Sequence, residues 1–124
     1  MAKRPRTLTP KRGEVYLVSF DPTVGSEIKK TRPAVVVQND ISNRHSPITI
    51  VVAITAQFDE PLYPTEVLIP RGQAGMRTAS VVLLNQIRSI DRRRLVRKLG
   101  VLSSTMMTQV DDALEVSLGL RSIE

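Results

Sequence analysis

Five stretches of this 124-residue chain are apolar over short spans and break at turn-forming clusters. The first, "GEVYLVSF", is rich in β-branched and aromatic residues and stops at "DPTVGS", where Pro22 and Gly25 mark a loop. The second, "PAVVVQ", is a continuous apolar run between "TRP" and "NDISN", which suits a strand buried on both faces. "ITIVVAIT", Ile48 to Thr55, repeats that pattern after "NRHSP". "TEVLI" follows and, beyond the glycine-containing "PRGQAGMRT", the longer "SVVLLNQIRSI". Five strands at short spacing, with no long helix among the first four, predict a compact antiparallel or mixed barrel.

Helical periodicity appears only towards the C-terminus. "DRRRLVRKLG" reads as a short basic helix with Asp91 as its cap, Gly100 as its stop, and Leu95 and Leu99 on one side. "SSTMMTQVDDALEVSLG" reads as a second helix capped by Ser103 or Ser104. Met107, Val110, Leu114 and Leu118 fall at helical spacing and Gly119 ends it; its methionines are core fillers. The expected fold class is mainly β (α+β), a small β-barrel with a short basic helix and a packed C-terminal helix. The length fits one domain, here residues 12–124, preceded by a flexible basic leader over residues 1–11.

Charge changes this picture less than its total suggests. Of 18 lysines and arginines, Lys3, Arg4, Arg6, Lys11 and Arg12 lie in the first twelve residues, which carry no acid. The thirteen cations that remain face twelve acids, so the body is close to neutral and the formal +6 says little about its partner. Cysteine is absent, which removes disulfides, thiolate catalysis and cysteine-ligated zinc and is compatible with a reducing compartment. No apolar run approaches the roughly 18 residues of a membrane span, and no apolar h-region follows the basic N-terminus. The expected location is the cytoplasm.

The candidate chemistry is narrow. A single histidine, His45, excludes a two-histidine acid–base pair, and its neighbours Arg44, Ser46 and Pro47 read as a turn. Metal-ligand spacing and phosphate-binding glycine loops are both missing. What remains is guanidinium, hydroxyl and amide, which suits cleavage of RNA by internal transfer. There the ribose 2′-hydroxyl is the nucleophile, and the protein must hold the backbone in line and stabilise charge on phosphate oxygens. Arg32 fits, being planar and permanently charged, with Pro33 biasing its backbone towards extended geometry. An arginine at a strand mouth forming a surface ion pair is the plain alternative. Thr55 closes its strand where a hydroxyl can face a cleft, although threonine is ordinary there. In "LLNQIRSI" a period of two sets Gln86 and Arg88 on one face, an amide beside a guanidinium that could bind a base edge or phosphate, or simply face solvent.

Taken together, "RGEVYLVSFDPTVGSE", "TRPAVVVQNDISN", "SPITIVVAIT", "PTEVLI", "SVVLLNQIRSIDRRRL" and "VDDALEVSLGL" resemble the MazF/PemK family of toxin endoribonucleases in order and spacing, from about Arg12 to Leu120. The resemblance implies an SH3-like barrel with a C-terminal helix, a homodimer, and metal-independent, cofactor-free cleavage of single-stranded RNA at short sequences. Products would carry a 2′,3′-cyclic phosphate and a 5′-hydroxyl. It also implies a cognate antitoxin whose acidic C-terminal segment covers the RNA groove. The family's catalytic arginine before proline falls on Arg32 and its catalytic threonine on Thr55. Ser26 and Glu27 fall where the family's loop covers RNA and Gln86 and Arg88 on its groove, while Gln38 and Asn39, which follow the "AVVV" strand, are lesser candidates for substrate contacts.

Departures from the family pattern lie at Lys29 and Lys30, where many members carry small residues, at Asn85, where an acid is usual, and at His45, where an aromatic is common. The two lysines would add salt-sensitive attraction to an RNA backbone. Two other functions fit the same outline. A gyrase-poisoning toxin of CcdB type relies on a C-terminal tryptophan, and this chain has none. A non-enzymatic RNA-binding barrel would want stacking platforms, and two Phe and two Tyr supply few.

Overall fold

Side chains along a strand alternate between two faces, so each apolar run that is apolar at every position must be covered on both. The computed structural model describes residues 8–20 and 31–123, and in it all five predicted runs form strands. These are β1 (Glu14–Ser19), β2 (Thr31–Val36), β3 (Ile48–Thr55), β4 (Glu66–Ile69) and β5 (Ser80–Asp91). A sixth strand, β6 (Leu95–Val101), completes one antiparallel sheet of order β4-β5-β3-β2-β1-β6. Two helices accompany it, α1 (Asp40–His45) and α2 (Ser104–Ser117). No described helix is long and apolar enough to cross a membrane.

The two faces of the sheet are covered differently. Val15, Val35, Val52, Ile54, Val82 and Leu84 pack under α2, which contributes Met106, Val110 and Ala113. Ser103 is the cap, its hydroxyl accepting the Met106 N–H at 3.1 Å, and Leu118 at the far end is exposed instead of joining the stripe. The opposite face carries a smaller cluster of Tyr16, Val18, Ala34, Val36, Val51, Ile90 and Leu95, with Leu8 and Phe20 at its margin. Val35 and Val36 are both fully buried, one on each face, as the unbroken apolar run required.

The basic helix expected over Asp91–Gly100 does not form. Asp91 does cap, its carboxylate accepting the Arg93 N–H at 2.8 Å, but only one 3₁₀ turn, Arg92–Arg94, follows. The chain then runs on as β6, with Tyr16 of β1 opposite Lys98 and Leu17 opposite Arg97. The cause is backbone hydrogen bonding: β2 satisfies one side of β1, and without β6 the other side would lie open beside a buried core. That demand overrides local helix propensity.

The expected barrel is an open one, since β4 and β6 are edges that share no ladder. Its ends meet through backbone contact instead. Gly75, in the connection from β4 to β5, lies so close to β6 that a Cβ would land on the Leu99 carbonyl, and its φ of +79° also demands glycine. Gly100 presses in the same way on Ala74. Helix α1 was not evident in the "NDISN" turn cluster; Asn39 caps it by accepting the Ser42 N–H at 2.8 Å. His45 is therefore the last residue of a helix, and it is exposed.

A polar knot joins β1 to β6. The Glu14 carboxylate, almost buried, accepts the Lys11 backbone N–H at 2.7 Å, the Tyr16 hydroxyl at 2.9 Å and the Lys98 ammonium at 2.9 Å. Burial pushes the Glu14 carboxyl up, but the Lys98, Lys11 and Tyr16 donors together outweigh it and hold it below its ordinary 4.5. Burial and the Glu14 carboxylate raise the Tyr16 hydroxyl. A carboxyl depressed on folding contributes stability above its unfolded value and loses it as pH falls through the folded one. Thermal midpoints should therefore drop as pH falls below about 4.5, and Glu14→Gln should flatten that acid limb. An unchanged acid limb in the variant would show that the knot is not its source.

Candidate functional site

The register of β2 on β3 pairs Ala34 with Ala53, Val35 with Val52 and Val36 with Val51. Continued by two residues, it sets Arg32 opposite Thr55 on the face away from α2. On the other side of β3, Val51 pairs with Arg88 of β5, and the alternation of β5 puts Gln86 on that face as well. Four side chains far apart in sequence are thus gathered at one end of the smaller apolar cluster. The small Ala53 side chain leaves a depression between them.

Two hollows meet at Arg32. One, of about 390 Å³, is lined by Arg32, Pro33, Thr55, Gln57 and the segment Gly75–Thr78 with Ser80. The other, of about 230 Å³, is lined by Phe20, Arg32, Ala53, Gln86 and Arg88. They form one groove with Arg32 at its centre. Pro33 restrains the Arg32 backbone to the extended conformation of β2. Among the described residues, Arg32 and Gln86 have no hydrogen-bond or ion-pair partner, and both are exposed. Arg88 lies over the Phe20 ring, 5.0 Å from its centroid, which holds the guanidinium without occupying its donors. The Thr55 Oγ1 accepts the Gln57 N–H at 3.1 Å and lies 3.4 Å from the Gln57 carbonyl. The first bond fixes the hydroxyl; the second is long enough for the proton to turn to a ligand.

Among the described residues, no carboxylate lines either hollow. Fixed positive donors, a held hydroxyl and an amide around an open groove make a receptor for an anion, with charge-assisted hydrogen bonds as its strongest contacts. Among the described residues, no three His, Asp or Glu side chains converge in the manner of a metal centre.

A larger hollow, of about 460 Å³, lies at His45, Ser46, Asp91, Arg92 and Arg93, but its arginines are occupied. Arg92 donates to the carbonyls of Leu8, Asn43 and Ser46 and to the Thr9 hydroxyl at 3.0–3.2 Å. Arg93 is bound to Asp91 at 3.0 Å, and these contacts hold the Asp91 carboxyl below its ordinary range. This hollow is a joint between α1, β5 and the N-terminal segment, and its donors are not free for a ligand.

The sequence candidates therefore divide. Arg32, Thr55, Gln86 and Arg88 come together in the groove. Ser26, Glu27, Lys29 and Lys30 lie outside the described residues. Gln38 and Asn39 have other work: Asn39 caps α1, while the Gln38 amide donates to Asn43 Oδ1 and the Ile48 carbonyl, each at 2.9 Å. Asn43 is fully buried and also accepts the Thr49 hydroxyl at 2.8 Å, so Gln38 belongs to a structural network. Arg77 and Thr78, which line the groove, carry no local signal in "PRGQAGMRT"; only the pairing of Val81 with Thr55 reveals their position.

A family model described as PemK-like, MazF-like toxin of type II toxin–antitoxin system matches residues 11–118. The chain is 50% identical over 110 residues to Endoribonuclease EndoA of Bacillus subtilis (strain 168), covering 89% of this chain and 95% of that one. Among solved structures, a MazE–MazF crystal form from Deinococcus radiodurans matches with a TM-score of 0.79 at 27% identity, covering 92% of this chain and 99% of the other. A mycobacterial endoribonuclease in complex with its cognate antitoxin shares the fold at 24% identity with a TM-score of 0.76, over 90% and 97% of the two chains.

The division between groove and scaffold can be measured. Asn39→Ala should cost about 1 kcal/mol in urea unfolding, the worth of a helix cap. Gln86→Ala should stay within about 0.5 kcal/mol of the parent, as expected of a free exposed side chain. A loss at Gln86 equal to that at Asn39 would mean that the groove amide is part of the scaffold.

Proposed function

The chain belongs to the PemK-like, MazF-like family of type II toxin–antitoxin toxins, and from that premise we propose that its groove cleaves single-stranded RNA at short sequences by internal phosphoryl transfer. It is a toxin endoribonuclease, and its partner is a cognate antitoxin. The observation that carries the proposed chemistry is the placement of Arg32 opposite Thr55, both bordering a hollow that no carboxylate lines among the described residues.

In this reaction the ribose 2′-oxygen attacks the adjacent phosphorus and loses its proton to solvent. The bond to the 5′-oxygen breaks, that oxygen gains a proton, and the products are a 2′,3′-cyclic phosphate and a 5′-hydroxyl. The nucleophile belongs to the substrate, so the protein's task is geometry and charge. Arg32 stabilises the negative charge that builds on the phosphorane oxygens and delivers a proton towards the leaving oxygen. A guanidinium carries a permanent charge spread over a planar fork of donors, so charge stabilisation is the main contribution of Arg32. The Thr55 hydroxyl donates to a phosphate oxygen and fixes its position. Gln86 and Arg88 hold the strand on the other side of Arg32 by an amide contact and a phosphate contact. Ser26, Glu27, Lys29 and Lys30 extend this contact surface, the lysines through salt-sensitive attraction to the backbone.

The same surface suits an acidic, extended antitoxin segment, because donors that receive phosphates also receive carboxylates. Antitoxin and RNA then exclude one another. A homodimer, as the family resemblance implies, completes the proposed assembly.

With a long RNA in EDTA, the purified protein should cut at discrete sites with 5′-hydroxyl ends. Arg32→Ala should lower kcat by about 10²–10³-fold, the loss seen when a preorganised donor is removed from developing charge. Thr55→Ala should reduce kcat in the same direction, and Arg32→Lys should restore little, since an ammonium lacks the planar fork. Full activity in Arg32→Ala would remove the mechanism. In a separate binding experiment, a peptide of the antitoxin C-terminus should displace a 2′-deoxy-blocked RNA from the toxin; a stable ternary complex at the groove would refute the shared surface.

A further inference from the structure

We propose that Arg77 is a second phosphate-binding guanidinium of the groove, holding a phosphate next to the one that is cleaved. The inference rests on the reading of the groove as an RNA site. Its first support is topological. In the sheet, β3 lies between β2 and β5, and Thr55 at the end of β3 faces Val81 at the start of β5. Arg32 therefore approaches Thr55 from the β2 side, while Arg77, just before β5, approaches from the other. Both border the same hollow of about 390 Å³.

The segment that carries Arg77 is held in place from several directions. Met76, its neighbour, is buried in the main core. The turn before it is closed by hydrogen bonds from the Gly72 N–H to the Met76 carbonyl at 2.8 Å and from the Met76 N–H to the Gln73 carbonyl at 2.9 Å. Gly75 is pressed on Leu99, and Gly100 on Ala74, in contacts that leave no room for a side chain. On the far side, Ser80 donates to the Thr78 carbonyl at 3.0 Å. With the backbone already fixed, binding at this guanidinium orders the side chain alone and not the loop.

Charge gives the third support. Among the described residues, Arg77 has no hydrogen-bond or ion-pair partner, and no carboxylate lines the hollow it shares with Arg32. Two unpaired cations in one depression repel each other in the free protein, a cost that an anion offsets. With Arg88 beyond Arg32, the groove carries three guanidiniums in the order Arg88, Arg32, Arg77. One phosphodiester carries one negative charge, so this row matches consecutive phosphates of a strand that continues on both sides of the cleaved bond. The ligand class is an extended polynucleotide in preference to a mononucleotide.

The test uses the whole protein and a short single-stranded RNA containing the cleaved sequence, with a 2′-deoxy version for binding. Arg77→Ala should raise KM and the Kd of the blocked RNA about tenfold, a charge-assisted hydrogen bond's worth. Its kcat should stay within about twofold, its thermal midpoint should not move, and the slope of log Kd against log salt should fall by about 0.7. Arg77→Lys should recover the salt slope. A neutral methylphosphonate placed in turn at each linkage flanking the cleaved bond should weaken the parent about tenfold at one position and leave Arg77→Ala unaffected there. Unchanged KM and salt slope in Arg77→Ala, a loss confined to kcat, or additive losses at both flanking linkages would each overturn the assignment. If the parent protein neither binds nor cuts RNA, the underlying reading falls as well, so the two failures are distinguishable.

Discussion

The antiparallel register of β2 on β3 is the constraint from which both the core and the groove follow. Pairing Val35 with Val52 sends those side chains under α2, and the same register sends Ala34, Ala53 and the row that ends in Arg32 and Thr55 to the other face. A slip of one residue would turn the Arg32 guanidinium towards the main core and move Val35 to the opposite cluster. The fully buried valines on both faces of β2 therefore enforce the register, and the groove inherits its geometry from their burial. The placement of Arg32 beside Thr55 and the packing of the core are in this sense the same interaction.

Two kinds of arginine coexist in the structure. Some are used as joints: Arg12 donates to the Val37 carbonyl at 2.8 Å and to Asp111 at 2.5 Å, and Arg92 gathers three carbonyls from two segments. The Arg12 backbone N–H also binds Asp40 at 2.7 Å and is the chief reason its carboxyl lies below the ordinary range. In the groove the pattern reverses, and Arg32 and Arg77 have neither acid nor carbonyl within reach among the described residues. Two unpaired guanidiniums bordering one hollow give it the electrostatics of an anion receptor. Arg88, held over Phe20, is oriented by an aromatic face that leaves its donors open.

Closure of the sheet serves the same end. The connection from β4 to β5 presses closely on β6 at Gly75 and Gly100, which holds this long loop against the sheet. Because β6 is also what satisfies β1, the basic stretch after Asp91 has two structural duties in strand form that it could not perform as a helix. Local sequence there favours a helix, and hydrogen-bond completion of the sheet decides against it.

The five apolar runs, a helix cap at Ser103 or Ser104 and the restrained arginine before Pro33 were determined by sequence alone, because burial period, capping chemistry and proline geometry act within a few residues. The residues that resemble the family also identified Arg32, Thr55, Gln86 and Arg88 as a set. Tertiary structure decided the rest. It gave Gln38 a bond to Asn43 and Asn39 the cap of α1, and it turned the basic "DRRRLVRK" into a strand by offering β1 as a partner. It brought Arg77 to Thr55 through pairing across more than twenty residues of chain. Such outcomes depend on contacts between distant segments, and a local pattern carries no information about which unpaired backbone or which open face it will meet.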